Sequence, residues 1–221
     1  MEWLITLITL VFFSTNTEAE QLGVKDFDSA KNLFWEALYP ESGWTLYCGE
    51  YFNSKTGIAI EHIYPMSWVI KHLACDNQEN CRTQTGQYQH IESDLHNMYP
   101  ILETMDNVRK DYQFGIIAEE YREFFECDFE REATVNIVEP RPLARGNIAR
   151  AIFYVRDKYN LPVDIETIKL LIQWHLNDPP SKDEIRRNNI IESLQGTRNK
   201  YIDNPDAVHK LNSAEENKEV Y

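Results

Sequence analysis

The chain has 221 residues, enough for one large domain or two small ones. Apolar residues are 43%, aromatics 12% and charged residues 26%, a globular composition that excludes a largely disordered chain. No apolar run reaches the roughly 18 residues of a membrane-spanning helix. Thirty-six acids against 22 bases give a formal charge of −14, which argues against indiscriminate coating of nucleic acid but permits a local basic surface. A chain of this length buries about 70% of its unfolded surface, so neither a metal nor a disulfide is needed merely to hold a core.

Trp3 to Phe13 is apolar apart from threonines, and small Thr17 and Ala19 frame a signal-peptidase cut before Glu20. Residues 1–19 are therefore expected to be a removed export signal and 20–221 a single mature domain, with 34 acids against 22 bases. The segment before the apolar run carries Glu2 and no Lys or Arg, which keeps a buried N-terminal helix as the other reading. Ser29, Leu33, Phe34, Ala37 and Leu38 predict a short amphipathic helix ending before Pro40. Residues 44–63, rich in Trp, Tyr, Phe and Ile and broken by Gly57, predict a hairpin. A polar loop follows over roughly 70–90. Met98, Ile101, Leu102, Met105 and Val108 recur at helical spacing, residues 113–138 lean to strand, and helices are expected at 143–159, 164–177 and 182–195. The last opens with a capping box, Ser181 and Glu184. Residues 203–221 are polar and expected to be loosely held.

Four cysteines suit an exported protein, because disulfides persist in oxidising compartments. Of the three pairings, Cys75 with Cys81 would staple a local loop, and Cys48 with Cys127 would then close a long one. A zinc site is the rival, but no C-x-x-C spacing exists.

Glu61-His62 ends the apolar strand IAI just before Pro65. A carboxylate beside an imidazole offers a metal ligand and a general base together. Adjacent strand residues point to opposite faces, so both serve one site only at a strand end; otherwise the pair is a surface Glu beside a half-buried His. A zinc protease loses its signature, since H-E-x-x-H is absent and the reversed motif would need His where Ile58 stands. Glu92, Ser93, Asp94, His96 and Asn97, followed by Asp106, Asn107 and Arg109, form a dense set of oxygen donors of the kind hard cations prefer. The competing reading is a capped helix start, with Asp94 or Asn97 accepting from backbone N–H groups.

EHIYPMSW, DLHNMYP with Arg109 nine residues after Pro100, EPRPLARGNIARAIFYV and LIQWHLNDPPSKDEIRRNNIIESLQGTRNKYID resemble, in matching order from about Leu46 to Asp203, the endonuclease I family of exported, largely sequence-non-specific nucleases. The resemblance implies an α+β fold with a ββα-metal (His-Me finger) core and additional helices in the C-terminal third. It implies a Mg²⁺-dependent endonuclease acting on double-stranded DNA and often RNA, with Mn²⁺ or Ca²⁺ as substitutes, as a monomer that is secreted or periplasmic and not a membrane partner. By position Glu61 matches the metal-binding acid, His62 the general base and Glu92 a further acid near the site. The expected chemistry is in-line attack by water on phosphorus, leaving 5′-phosphate products.

Two positions depart from the family pattern. The helix ligand is usually Asn, and here that position is Asp106 with Asn107 beside it. At about 100° per residue, Asp106 lies on the flank of the apolar stripe and Asn107 points away, so Asp106 is the expected ligand. A family arginine near the scissile phosphate is replaced by Gln78, with Arg82 nearby as a substitute; Arg82 and Arg109 are the candidate phosphate contacts. These departures also motivate the alternative of an inactive relative that binds nucleic acid or a partner protein, and a non-enzymatic exported protein is a third reading. Charge is segregated along the sequence: residues 131–158 hold six bases against three acids, and residues 182–200 five against three. That pattern permits a basic groove, or merely solvated helix faces.

Overall fold

The computed structural model describes residue 24 and residues 26–118, 123–124 and 127–211; the expected export signal lies outside them. The Asp26 carboxylate accepts from the Ser29 N–H at 2.8 Å and caps the first helix, α1 (Phe27–Leu33), three residues earlier than Ser29 suggested. The helix widens into a π turn, Phe34–Leu38, ahead of Pro40. That turn buries Phe34, Trp35 and Leu38 against Phe52, Leu95, Met98 and Ile191. This is the smaller of two apolar clusters.

The expected hairpin over 44–63 forms only in its first part. β1 (Gly43–Trp44) and β2 (Tyr51–Phe52) make a two-residue ribbon. After Gly57, which takes φ 76°, β3 (Ile58–His62) pairs instead with β4 (Met98–Leu102), placing Glu61 opposite Tyr99 and His62 opposite Met98. The stretch read as a helix from Met98 is thus strand for its first five residues. Pairing with β3 wins over the helical spacing, and helix α5 (Glu103–Arg109) begins only after Leu102. The expected polar loop is mostly helix: α2 (Met66–His72), α3 (Gln78–Gln84) and α4 (Gly86–Glu92). Asn77 and Thr85 cap the last two by accepting from the N–H groups of Asn80 and Tyr88.

The β-leaning stretch yields a three-stranded sheet in the order β5 (Gln113–Phe114), β7 (Ile137–Pro140), β6 (Phe129–Glu132), with the β5–β7 pair parallel. The C-terminal helices fall where they were expected: α6 (Pro142–Tyr159), α7 (Ile165–Asn177) and α8 (Lys182–Gln195), the last with the Ser181–Glu184 capping box and a left-handed Gly196 after it. Every residue of α6 from Ile148 to Val155 is buried, which makes it the central helix of the larger cluster. Residues 203–211 are not loose: a 3₁₀ turn, Pro205–Val208, follows α9 (Lys200–Asp203), and Val208 and Leu211 are buried. Residues 212–221 lie outside the described ones. Both expected disulfides, Cys48–Cys127 and Cys75–Cys81, are present, and no described cysteine is free. The fold is mixed α+β, and no helix among the described residues is long and apolar enough to cross a membrane.

Candidate active site

Strands β3 and β4 and helix α5 form one continuous unit. The turn before β3 is fixed to the start of the helix by the Glu103 N–H donating to the Gly57 carbonyl at 2.8 Å. Beyond His62, Asn97 holds the chain in place. Its amide accepts from the Tyr64 N–H at 2.8 Å and donates to the Tyr64 carbonyl at 3.1 Å, while its own carbonyl accepts from the Ile63 N–H. Against this frame lies an open cavity of about 370 Å³ lined by Glu61, His62, Asp106, Lys110 and Asp111 among others. The strand-end position lets Glu61 and His62 reach one cavity despite adjacent numbering.

Glu61 is buried. One carboxylate oxygen, Oε1, accepts from the Tyr47 hydroxyl at 2.8 Å and lies 3.7 Å from Arg109 Nε. Burial pushes its carboxyl up to about 7, the Arg109 guanidinium and the Tyr47 hydrogen bond pull it down, and the Asp106 charge adds to the rise. His62 Nε2 lies 2.8 Å from the Glu92 carbonyl oxygen. A carbonyl can only accept, so Nε2 carries the hydrogen and Nδ1 keeps the lone pair. Burial lowers the pKa of the ring, against the Glu92 carbonyl and carboxylate, which favours the neutral form. The ring of Phe27 lies beside it, centroids 5.6 Å apart.

The Glu92 side chain is buried and saturated. It accepts from Arg82 Nε at 2.8 Å, Arg82 Nη2 at 2.7 Å and Gln78 Nε2 at 2.8 Å. Gln78 therefore stands beside Arg82 on one carboxylate, and the Arg82 side chain remains 42% exposed. Arg109 cannot touch a phosphate, contrary to expectation. It is fully buried, stacked over Phe114, and donates to the carbonyls of Tyr112, Lys110 and Ile63. Its guanidinium places positive charge beside Glu61. Asp94 does not join a cation site either. It caps a 3₁₀ turn through the His96 N–H and accepts from Lys158, Tyr154, Tyr159 and Gln195. The capping reading of that segment is the right one.

The family model described as Endonuclease I matches residues 10–206. The chain belongs to the endonuclease I family. It is similar to an Endonuclease-1 of Buchnera aphidicola subsp. Acyrthosiphon pisum (strain APS), 32% identical over 158 residues, covering 68% of this chain and 61% of the relative. A periplasmic deoxyribonuclease of Aeromonas hydrophila is 28% identical over 159 residues, covering 68% and 65%. An extracellular deoxyribonuclease of the same organism is 28% identical over 196 residues, covering 75% and 84%. The chain thus spans under two thirds of the first two of these relatives.

In this endonuclease I family member the basic segments are largely spent internally. Arg150 is buried on Glu184 at 2.7 and 2.8 Å, Arg145 pairs with Glu139, and Arg198 pairs with Glu192 and Asp203. Arg187, on the buried face of α8, donates to the Leu95 and Met98 carbonyls. No groove follows from counting bases along the sequence. Two residues around the site were absent from the sequence reading: buried Tyr47, bonded to Glu61 from fourteen residues away, and Lys110, which lines the cavity. The aromatic run around Leu46 gave no sign of the former. The latter stands beside Arg109 and is of the type that contacts phosphate.

Proposed function

We propose that this family member is an exported, metal-dependent endonuclease hydrolysing double-stranded DNA and also RNA, acting as a one-domain monomer after removal of residues 1–19. The single observation that carries the reading is the convergence of Glu61, His62 and Asp106 on one cavity in the β3–β4–α5 unit, which we take to be the ββα-metal core. The names of the relatives, periplasmic and extracellular deoxyribonucleases, support both the substrate and the export.

The donor set fits a hard divalent cation. Mg²⁺ is held by one or two carboxylates and keeps several waters, as Glu61 and Asp106 would allow, whereas structural zinc takes four Cys, His or carboxylate ligands. When bound, the cation neutralises phosphate charge and stabilises the leaving oxygen.

The protein's own groups do the rest. His62, neutral and with Nε2 engaged by the Glu92 carbonyl, presents Nδ1 as the acceptor that takes a proton from the attacking water. Glu92 positions: its carbonyl fixes the tautomer of His62 and its carboxylate holds Arg82. The exposed edge of Arg82 offers charge to the phosphate, in place of the family arginine at Gln78. Tyr47 and Arg109 keep one oxygen of Glu61 occupied, which turns the other toward the cavity. Incubating the mature protein with plasmid and Mg²⁺ tests the reading. Degradation that stops on adding a chelator is expected; an intact plasmid under both conditions favours the inactive, nucleic-acid-binding relative instead.

A further inference from the structure

The cavity beside His62 is acidic, with Glu61, Asp106 and Asp111 along its wall. Even with a divalent cation in place, a polyanion entering it needs positive charge from the protein. Among the charged side chains that line it, the base is Lys110.

Lys110 stands where a lysine is conformationally costly. It ends α5 with φ 47° and ψ −135°, a region that glycine enters freely and residues with a Cβ enter at a cost. Its neighbours in sequence have evident work: Arg109 is buried behind Glu61, and Asp111 accepts from the Ser67 hydroxyl at 3.3 Å and, through its carbonyl, from the Trp68 indole at 3.1 Å. The Lys110 side chain is exposed and makes no ion pair among the described residues. Its ammonium lies 5.7 Å from the Tyr112 ring centroid. The bases of α6, by contrast, are ion-paired within the fold, and Arg187 of α8 is buried on backbone carbonyls. An unspent point charge, held at a strained backbone position on the rim of an acidic cavity, suits a phosphate oxygen.

We infer that Lys110 is a substrate-binding residue, contacting a backbone phosphate of the nucleic acid as it enters the cavity beside His62. The inference rests on the nuclease reading above, and the strained backbone supplies a test that separates binding from folding.

The experiment uses the full mature chain with His62→Ala, so that DNA stays intact, and measures binding of a short DNA duplex by fluorescence anisotropy in Mg²⁺ over a range of salt. Adding Lys110→Met should weaken binding and reduce the slope of log Kd against log salt by about one, the mark of one lost phosphate contact. Lys110→Arg should restore both. Lys110→Gly should lose the same affinity while its Tm stays level or rises, because the backbone strain is relieved. Unchanged affinity and slope in Lys110→Met would overturn the inference, as would weaker binding with an unchanged slope. Cleavage of plasmid by the wild-type chain is scored separately, so failure of the nuclease reading is not confused with failure at Lys110.

Discussion

Asp106 and Asn107 are neighbours on α5, both exposed, yet Asp106 lines the cavity with Glu61 and His62 and Asn107 does not. The Asp106 charge is also felt at Glu61, whose carboxyl it helps to raise. A titration of cleavage rate against Mg²⁺ separates the two. Asp106→Ala should abolish cleavage or demand far more Mg²⁺, Asp106→Asn should remain active at raised Mg²⁺, and Asn107→Ala should change little. A dead Asn107→Ala beside an active Asp106→Ala would mean that the ligand register is wrong. Much of the site is legible at this scale because its chemistry is local. Glu61 and His62 end an apolar strand before a proline, and about 100° per residue orients Asp106. Arg109 and Tyr47 were not legible, because residue type does not reveal burial. Arg109 spends its hydrogen bonds on backbone carbonyls, and Tyr47 reaches Glu61 only through the tertiary fold.

Elements were legible where the period is long and the ends are marked. Of the three long C-terminal helices, α6 and α7 bury apolar residues and start at Pro142 and after Asp164, whereas α8 buries mostly polar ones and is marked by its Ser181–Glu184 box. Short elements hid. α3 and α4 are seven residues each, too short to show a period, although Asn77 and Thr85 stood as caps. The strand β4 shared its apolar residues with α5 so that the junction imitated one helix. The segment after α4 then ties the site to the C-terminal helices: Asp94 meets Lys158, Tyr159 and Gln195, and His96 Nε2 donates to the Thr197 carbonyl at 3.1 Å. His96 is buried, and burial drops its pKa to about 4 despite the Asp94 charge. The unfolded ring takes up a proton near about 6.5, so between those values the unfolded chain binds more protons and stability falls as pH falls. The contribution is on the order of 3 kcal/mol across that window. Urea denaturation at a series of pH values should show a slope of stability against pH smaller in His96→Gln by up to about 1.4 kcal/mol per unit. Equal slopes in the two proteins would show that His96 takes its proton in the folded state as readily as in the unfolded one.

For the whole molecule, a charge of −14 sets the problem that a nuclease must solve locally. Ion pairs within the fold consume most of the arginines that sequence counting placed in a groove. Lys110 lines the cavity with Glu61, His62 and Asp106, and Arg82, paired with Glu92, keeps 42% of its side chain exposed. What happens at that cavity turns on whether His62 takes the proton from the attacking water. Single-turnover cleavage of plasmid in Mg²⁺, compared between the wild-type chain and His62→Ala with DNA affinity measured alongside, tests it most directly. The rate should fall by roughly 10²–10⁴-fold while affinity for DNA stays nearly unchanged. A His62→Ala protein that cleaves at the wild-type rate would contradict the account.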